Sequence, residues 1–139
     1  MINIENAMSK FELEFIDNDQ KLFYRIHKTN IDNDINDDKL KIKPAAFDPM
    51  PRPTSVEMSV NWQKYSSPTE TKNSARKPEN VGVLSFLTLK VRISPVNLKV
   101  THAPTINQAH SHIHEVVSEV NDPQIRLKLR NICEWEVHI

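Results

Sequence analysis

Glycine is almost missing from this 139-residue chain, and Gly82 is the single example. Loops that cradle phosphates or dinucleotides with backbone N–H groups need several glycines, so P-loop and Rossmann nucleotide binding are excluded. Cysteine is as scarce. Cys133 alone allows no internal disulfide and suits a reducing compartment. No apolar run approaches the ~20 residues that span a bilayer, and no basic-then-apolar leader opens the chain. A cytoplasmic protein without membrane contact is therefore expected. Charge of one sign is also lacking, since 18 Lys and Arg balance 18 Asp and Glu. No global field recruits nucleic acid or anionic lipid. The balance is uneven along the chain, with nine acids against five bases in residues 1–40 and nine against thirteen beyond them.

What remains suffices for one domain over residues 1–139, with loop-rich segments at 28–54 and 66–80. Phe11–Phe15 alternates Phe, Leu and Phe with two glutamates, and Leu22–His27 alternates again after the turn residues Asp17-Asn18-Asp19. The pattern predicts a hairpin, with Arg25 and His27 on the face that carries Phe23. Asn30–Asp38 places Asp32, Asp34 and Asn36 at EF-hand-like spacing. Asp37 stands where the turn glycine is needed and Lys43 where the bidentate acid belongs, so a solvated loop is expected. Lys43–Thr54, with Pro44, Pro49, Pro51 and Pro53, reads as an extended surface segment.

Ser55–Val60 reads as a short strand with Val56, Met58 and Val60 on one face, followed by Trp62 and Tyr65 as edge packing. Ser67-Pro68 opens a short helix over Thr69–Ala75. Val81–Ile93 is the strongest strand pattern, apolar on both faces at its start and so expected between two neighbours. Val96–Thr101 gives another strand. Asp122-Pro123 signals the start of a helix whose stripe is Ile125, Leu129, Ile132 and Cys133, with Arg126 and Arg130 on an outer, solvated face. The fold expected is α+β: an antiparallel or mixed sheet of about five or six strands, with a C-terminal amphipathic helix packed on one face.

Chemistry concentrates in Thr101–Val117, which holds four of the six histidines. A strand over 109–117 sets His110, His112 and His114 on one face, whereas a helix pairs only His110 with His114. The β-branched Ile113, Val116 and Val117 favour the strand. Three imidazoles so arranged invite a metal, but alternate strand positions spread over ~13 Å do not converge on one ion. His110, His112 and His114 are thus a weak metal alternative, and no cofactor is expected. Metal-free acid–base chemistry is the other candidate. It places Arg25 and His27 across a sheet from His110, with Ser59 and Asn107 as hydrogen-bond partners and Arg25 neutralising a phosphate.

LFYRIH, PAAFDP, EMSVNW, GVLSFLTLKVRI and VTHAPTINQAHSHI together resemble a family of small bacterial proteins of unassigned activity. Its members carry a Leu-Tyr-Arg-Arg-Ile-His-like strand, a Ser-Ala-Ala-Phe segment, a Leu-Ser-Val-Asp segment and Asn-x-x-His before a valine-rich strand. The resemblance spans roughly residues 22–115. It implies roles for Arg25, His27, Phe47, Ser59, Asn107 and His110, and singles out His110 among the clustered histidines. The chain departs from the pattern at Lys43-Pro44 and at Asn61, where the family carries aspartate.

Two functions are expected. The first is a small cytoplasmic interaction subunit that binds a larger protein partner in a bacterial assembly, the partner ordering the Asn/Asp-rich and Pro-rich segments. The alternative is a His/Arg enzyme acting on a nucleotide or nucleic-acid phosphate, such as a toxin-like nuclease or transferase of a defence system.

Overall fold

Alternation in KLFYRIH makes Lys21–His27 a strand, β1, and the sheet is built outward from it. The computed structural model describes residues 11–48, 57–105, 107–116 and 124–139. Within them β2 (Met58–Trp62), β3 (Val81–Leu87), β4 (Val100–His102), β5 (His110–Ile113) and β6 (Glu134–Val137) complete a six-stranded sheet. The order is β4-β5-β2-β1-β3-β6, and every neighbouring pair is antiparallel. Among the described residues three short α-helices accompany it: α1 (Pro68–Asn73), α2 (Thr88–Arg92) and α3 (Ile125–Ile132). The α+β architecture, the size of the sheet and the C-terminal helix agree with the sequence.

Register sorts the two faces. On one, Leu22, Ile26, Met58, Val60, Trp62, Leu84, Phe86 and Ile113 are buried, and Ile125 and Leu129 of α3 join them in one core. Each such side chain contributes about 1.5–3 kcal/mol relative to exposure. Phe47 is fully buried there and packs against Tyr24 and Phe86 at centroid distances of 6.2 and 6.1 Å. On the other face His110 lies opposite Asn61, Asn61 opposite Phe23, and Phe23 opposite Ser85. α1 reaches that second face, where Thr71 bonds Asn61 and Ser74 bonds Arg25. It opens as expected, with the Ser67 hydroxyl accepting the Glu70 N–H and Pro68 in the first turn.

Gly82 finds its reason where β6 crosses β3. A Cβ there would stand 2.7 Å from the Val137 carbonyl and 3.0 Å from the Trp135 ring, beside a register shift between Val83 and Leu84. Only glycine admits so close an approach.

Several expectations fail for identifiable reasons. Phe11–Phe15 joins no strand, so the predicted hairpin does not form: the Glu14 N–H goes to the His102 ring instead of a sheet carbonyl. Its alternation is also inverted, with Leu13 and Phe15 77% and 74% exposed while Glu14 turns inward to Lys64 and Tyr65. The long strand over Val81–Ile93 stops at Leu87: Thr88 still donates its N–H and hydroxyl to the Gln20 carbonyl, but the Leu89 N–H goes to the Asn18 carbonyl, out of the β1–β3 register, as α2 begins. Val96–Thr101 is a strand only from Val100, and the turn before it holds Asn97 at φ 54, a left-handed conformation that Asn tolerates. Pro44–Phe47 is a 3₁₀ turn with Ala46 and Phe47 buried, not an extended surface run. Arg126 and Arg130 are not a solvated face, for they bond Asp48 and the Ile42 carbonyl. Pro49, Pro51, Pro53, Val56, Val117, Asp122 and Pro123 lie outside the described residues, so the expectations resting on them do too. β6 was not expected from the sequence.

Candidate polar site on the open sheet face

Asn107 shapes the turn between β4 and β5. Its side-chain oxygen accepts the Ala109 N–H at 2.9 Å and its carbonyl accepts the His110 N–H at 3.2 Å. That turn delivers His110 to the start of β5, opposite Asn61. The Asn107 amide donates toward Asn61 Oδ1 at 3.4 Å, and Asn61 donates to the Thr71 hydroxyl at 3.2 Å. A chain of hydrogen bonds therefore fixes both carboxamides between β5, β2 and α1.

Arg25 enters from β1. The Phe23–Asn61 register, carried two residues on, sets it opposite Ser59. Its guanidinium donates to the Ser74 hydroxyl at 3.1 Å, and Ser74 donates in turn to the Thr71 carbonyl at 2.8 Å. Phe23, Arg25, Ser59, Asn61, Thr71, Ser74, Asn107 and His110 thus border one recess of about 100 Å³. Among the described residues Arg25 is its one formal charge, and no carboxylate lines it.

The His110 ring bonds the Ala103 carbonyl through Nδ1 at 2.9 Å. A carbonyl only accepts, so the proton sits on Nδ1 and Nε2 keeps its lone pair in the neutral ring. Nε2 has no partner among the described residues and is the nitrogen available for base chemistry or for accepting a hydrogen bond.

Four of the five expected site residues, Arg25, Ser59, Asn107 and His110, border this recess. His27 does not. It caps the 3₁₀ turn Lys28–Asn30, where its Nδ1 accepts the Thr29 N–H at 3.2 Å, and it lines a different cavity beyond Arg25. Phe47 belongs to the core. Sequence reasoning missed Asn61, Thr71 and Ser74, whose signal was present only in part: Asn61 alternates with Met58–Val60–Trp62, but nothing local brings α1 over it.

The other histidines separate by role. His112 follows His110 with centroids 4.8 Å apart, and His114 follows at 5.8 Å. The Glu57 carboxylate stands 4.0 Å from His112 and 3.8 Å from His114. His114 also meets the Thr101 hydroxyl at 2.6 Å. Burial, and then the charge of neighbouring His110, hold His112 below the ordinary imidazole value against the pull of Glu57. No group of three or more His, Cys, Asp or Glu side chains among the described residues is placed to hold a metal ion, so the three-histidine metal set has no counterpart there. His102 is buried and structural: Nδ1 accepts the Glu14 N–H and Nε2 donates to the Gln108 carbonyl.

No helix among the described residues is long and apolar enough to cross a membrane. No family model, curated protein or solved structure matches this chain.

Proposed function

We propose that this chain binds the phosphate of a nucleotide or nucleic acid in the Arg25–Asn107–His110 recess. One observation carries the reading: a single guanidinium, two positioned carboxamides, hydroxyls and an imidazole converge where no carboxylate of the described residues intrudes. Such a set favours an anion with several acceptor oxygens. A volume of about 100 Å³ lies well below that of sites for whole small molecules, roughly 300–1,000 Å³, so it suits a phosphoryl group and leaves the remainder of the ligand outside. His110 Nε2 supplies one base. With His27 elsewhere, a two-histidine acid–base pair is not part of the proposal, and any transfer or hydrolysis here runs with His110 alone. Titrating ¹⁵N-labelled protein with inorganic phosphate tests it. Saturable shifts at Asn61, Asn107 and His110, lost in Arg25→Ala, are expected. Shifts confined to surface lysines, or unchanged in that variant, would refute it.

A second reading, the small cytoplasmic interaction subunit of a bacterial assembly, has one observation in its favour. Leu13 and Phe15 stand exposed on a segment that joins no strand, and an apolar pair of this kind suits a protein partner. Light scattering of the chain alone and beside the products of neighbouring genes tests this. A complex that Leu13→Ser with Phe15→Ser dissolves is the expected result, and a stable monomer that binds none of them counts against it.

A further inference from the structure

Arg25 borders two cavities. Beyond the small recess, Tyr24, Arg25, His27, Asn30, Ala45, Ala46 and Asp48 enclose about 450 Å³, a volume within the range of small-molecule sites. From this pairing, and resting on the phosphate reading above, we infer that the ligand is a nucleoside monophosphate. Its phosphate sits between Arg25 and His110, and its nucleoside lies in the larger cavity.

The chemistry of each wall assigns the parts. Asp48 offers carboxylate oxygens and Asn30 a carboxamide, which together suit the hydroxyls of a ribose. The Asp48 carboxylate is held by Arg126 at 3.4 Å, so it keeps its place when the cavity is filled. Ala45 and Ala46 give a small apolar wall against which a flat group can lie. His27 presents an exposed ring whose orientation is fixed by its bonds to Thr29, at 3.2 Å to the N–H and 3.0 Å to the hydroxyl. An imidazole so held is a stacking surface for a base.

A longer strand is disfavoured on two counts. Among the described residues Arg25 is the only cation lining either cavity, so a second phosphate finds no further cation there. The whole chain also carries no net charge to draw a polynucleotide backbone.

Calorimetry with four probes decides the matter: inorganic phosphate, ribose 5-phosphate, adenosine 5′-monophosphate and a short single-stranded oligonucleotide. The monophosphate should bind at least about tenfold more tightly than phosphate or ribose 5-phosphate. Ala45→Phe, at an exposed position on the cavity wall, should remove that advantage and leave phosphate binding intact. Asn30→Ala should weaken the monophosphate several-fold and phosphate not at all, which keeps the test valid if the first variant folds poorly. Equal binding of phosphate and adenosine 5′-monophosphate would overturn the inference while leaving the phosphate site standing. Equal binding of ribose 5-phosphate and the monophosphate would remove the base from the cavity and overturn it too, and so would an oligonucleotide that binds more tightly than the monophosphate. Binding of no probe at all would remove both readings.

Discussion

His102 and His110 sit eight residues apart and look alike in sequence, yet their replacement by alanine should have very different costs. His102 is 5% exposed and satisfies two backbone groups, accepting from Glu14 N–H at 3.1 Å and donating to the Gln108 carbonyl at 2.7 Å. Its ring lies 5.1 Å from Trp62 and 6.2 Å from Tyr65. Stranding a buried backbone group costs about 1–3 kcal/mol, and losing an aromatic contact about 0.5–1.5 kcal/mol. Glu14 sits near the surface, where water relieves part of the first loss, so His102→Ala should cost about 3 kcal/mol. His110 bonds one carbonyl, that of Ala103, at the rim of an open recess. His110→Ala should therefore cost about 1 kcal/mol. Urea unfolding followed by tryptophan fluorescence reads both, and His102→Phe, which keeps a ring beside Trp62, separates packing from hydrogen bonding. A cost for His110→Ala equal to that for His102→Ala would refute the reasoning, as would a His102→Ala variant within about 0.5 kcal/mol of the parent.

Gly82→Ala should destabilise the fold by about 1–3 kcal/mol, because its Cβ meets the Val137 carbonyl at 2.7 Å and a strand backbone cannot swing aside; an unchanged urea midpoint would contradict this. The folded state holds His112 below its ordinary value of 6.5, so it binds fewer protons than the unfolded chain. Stability from this group is complete above that value and falls as the pH drops through it. Melting temperatures should therefore decline between about pH 7.5 and about pH 5.5, less steeply in His112→Gln, and identical slopes would dismiss the effect. Burial pushes the Cys133 thiol up to about 11, so a thiol reagent at neutral pH should label it only as fast as the protein unfolds; immediate labelling of native protein would disprove its burial.

The fold was legible wherever local alternation had no competitor. LFYRIH alternates cleanly and became β1, the strand expected over Ser55–Val60 is met by β2 at Met58–Val60 and runs on to Trp62, and Ser67-Pro68 opened α1 with the hydroxyl cap its sequence advertises. Legibility failed where a distant group outbid the local pattern. Leu89 would continue a strand but for the Asn18 carbonyl, which takes its N–H out of the β1–β3 register from far earlier in the chain. Arg92 then ties α2 to the Asn18 side chain at 2.8 Å, and with it the segment that follows FELEF. Alternation in FELEF itself predicts Phe and Leu inward. Glu14 reverses this by finding Lys64 and Tyr65, a pair of partners that no window of eleven residues contains. β6 escaped notice because only Cys133 separates its four residues from α3, and the clue to it was remote: the lone glycine marks where another backbone must pass.

The candidate site shows the same division within a single strand. Parity places Arg25 and His27 on one face of β1, and this holds. Parity is silent about which row of the neighbouring strands each one meets. Register settles that: Phe23 faces Asn61 and Asn61 faces His110, so His110 shares a row with Phe23. At ~3.3 Å per residue, Arg25 stands two residues or ~7 Å along from that row, and His27 four residues or ~13 Å. A guanidinium on a long stem covers the first distance and an imidazole does not cover the second. Parity put both side chains on one face, and only the register of the folded sheet assigns Arg25 to the His110 recess and leaves His27 out of it. Register depends on the turn at Asn107 and on the pairing of β2 with β5, which lie 46 residues apart in the bond that joins them. The histidine that parity left over lines the cavity on the far side of Arg25, where a ring without proton-transfer duties still has a surface to offer.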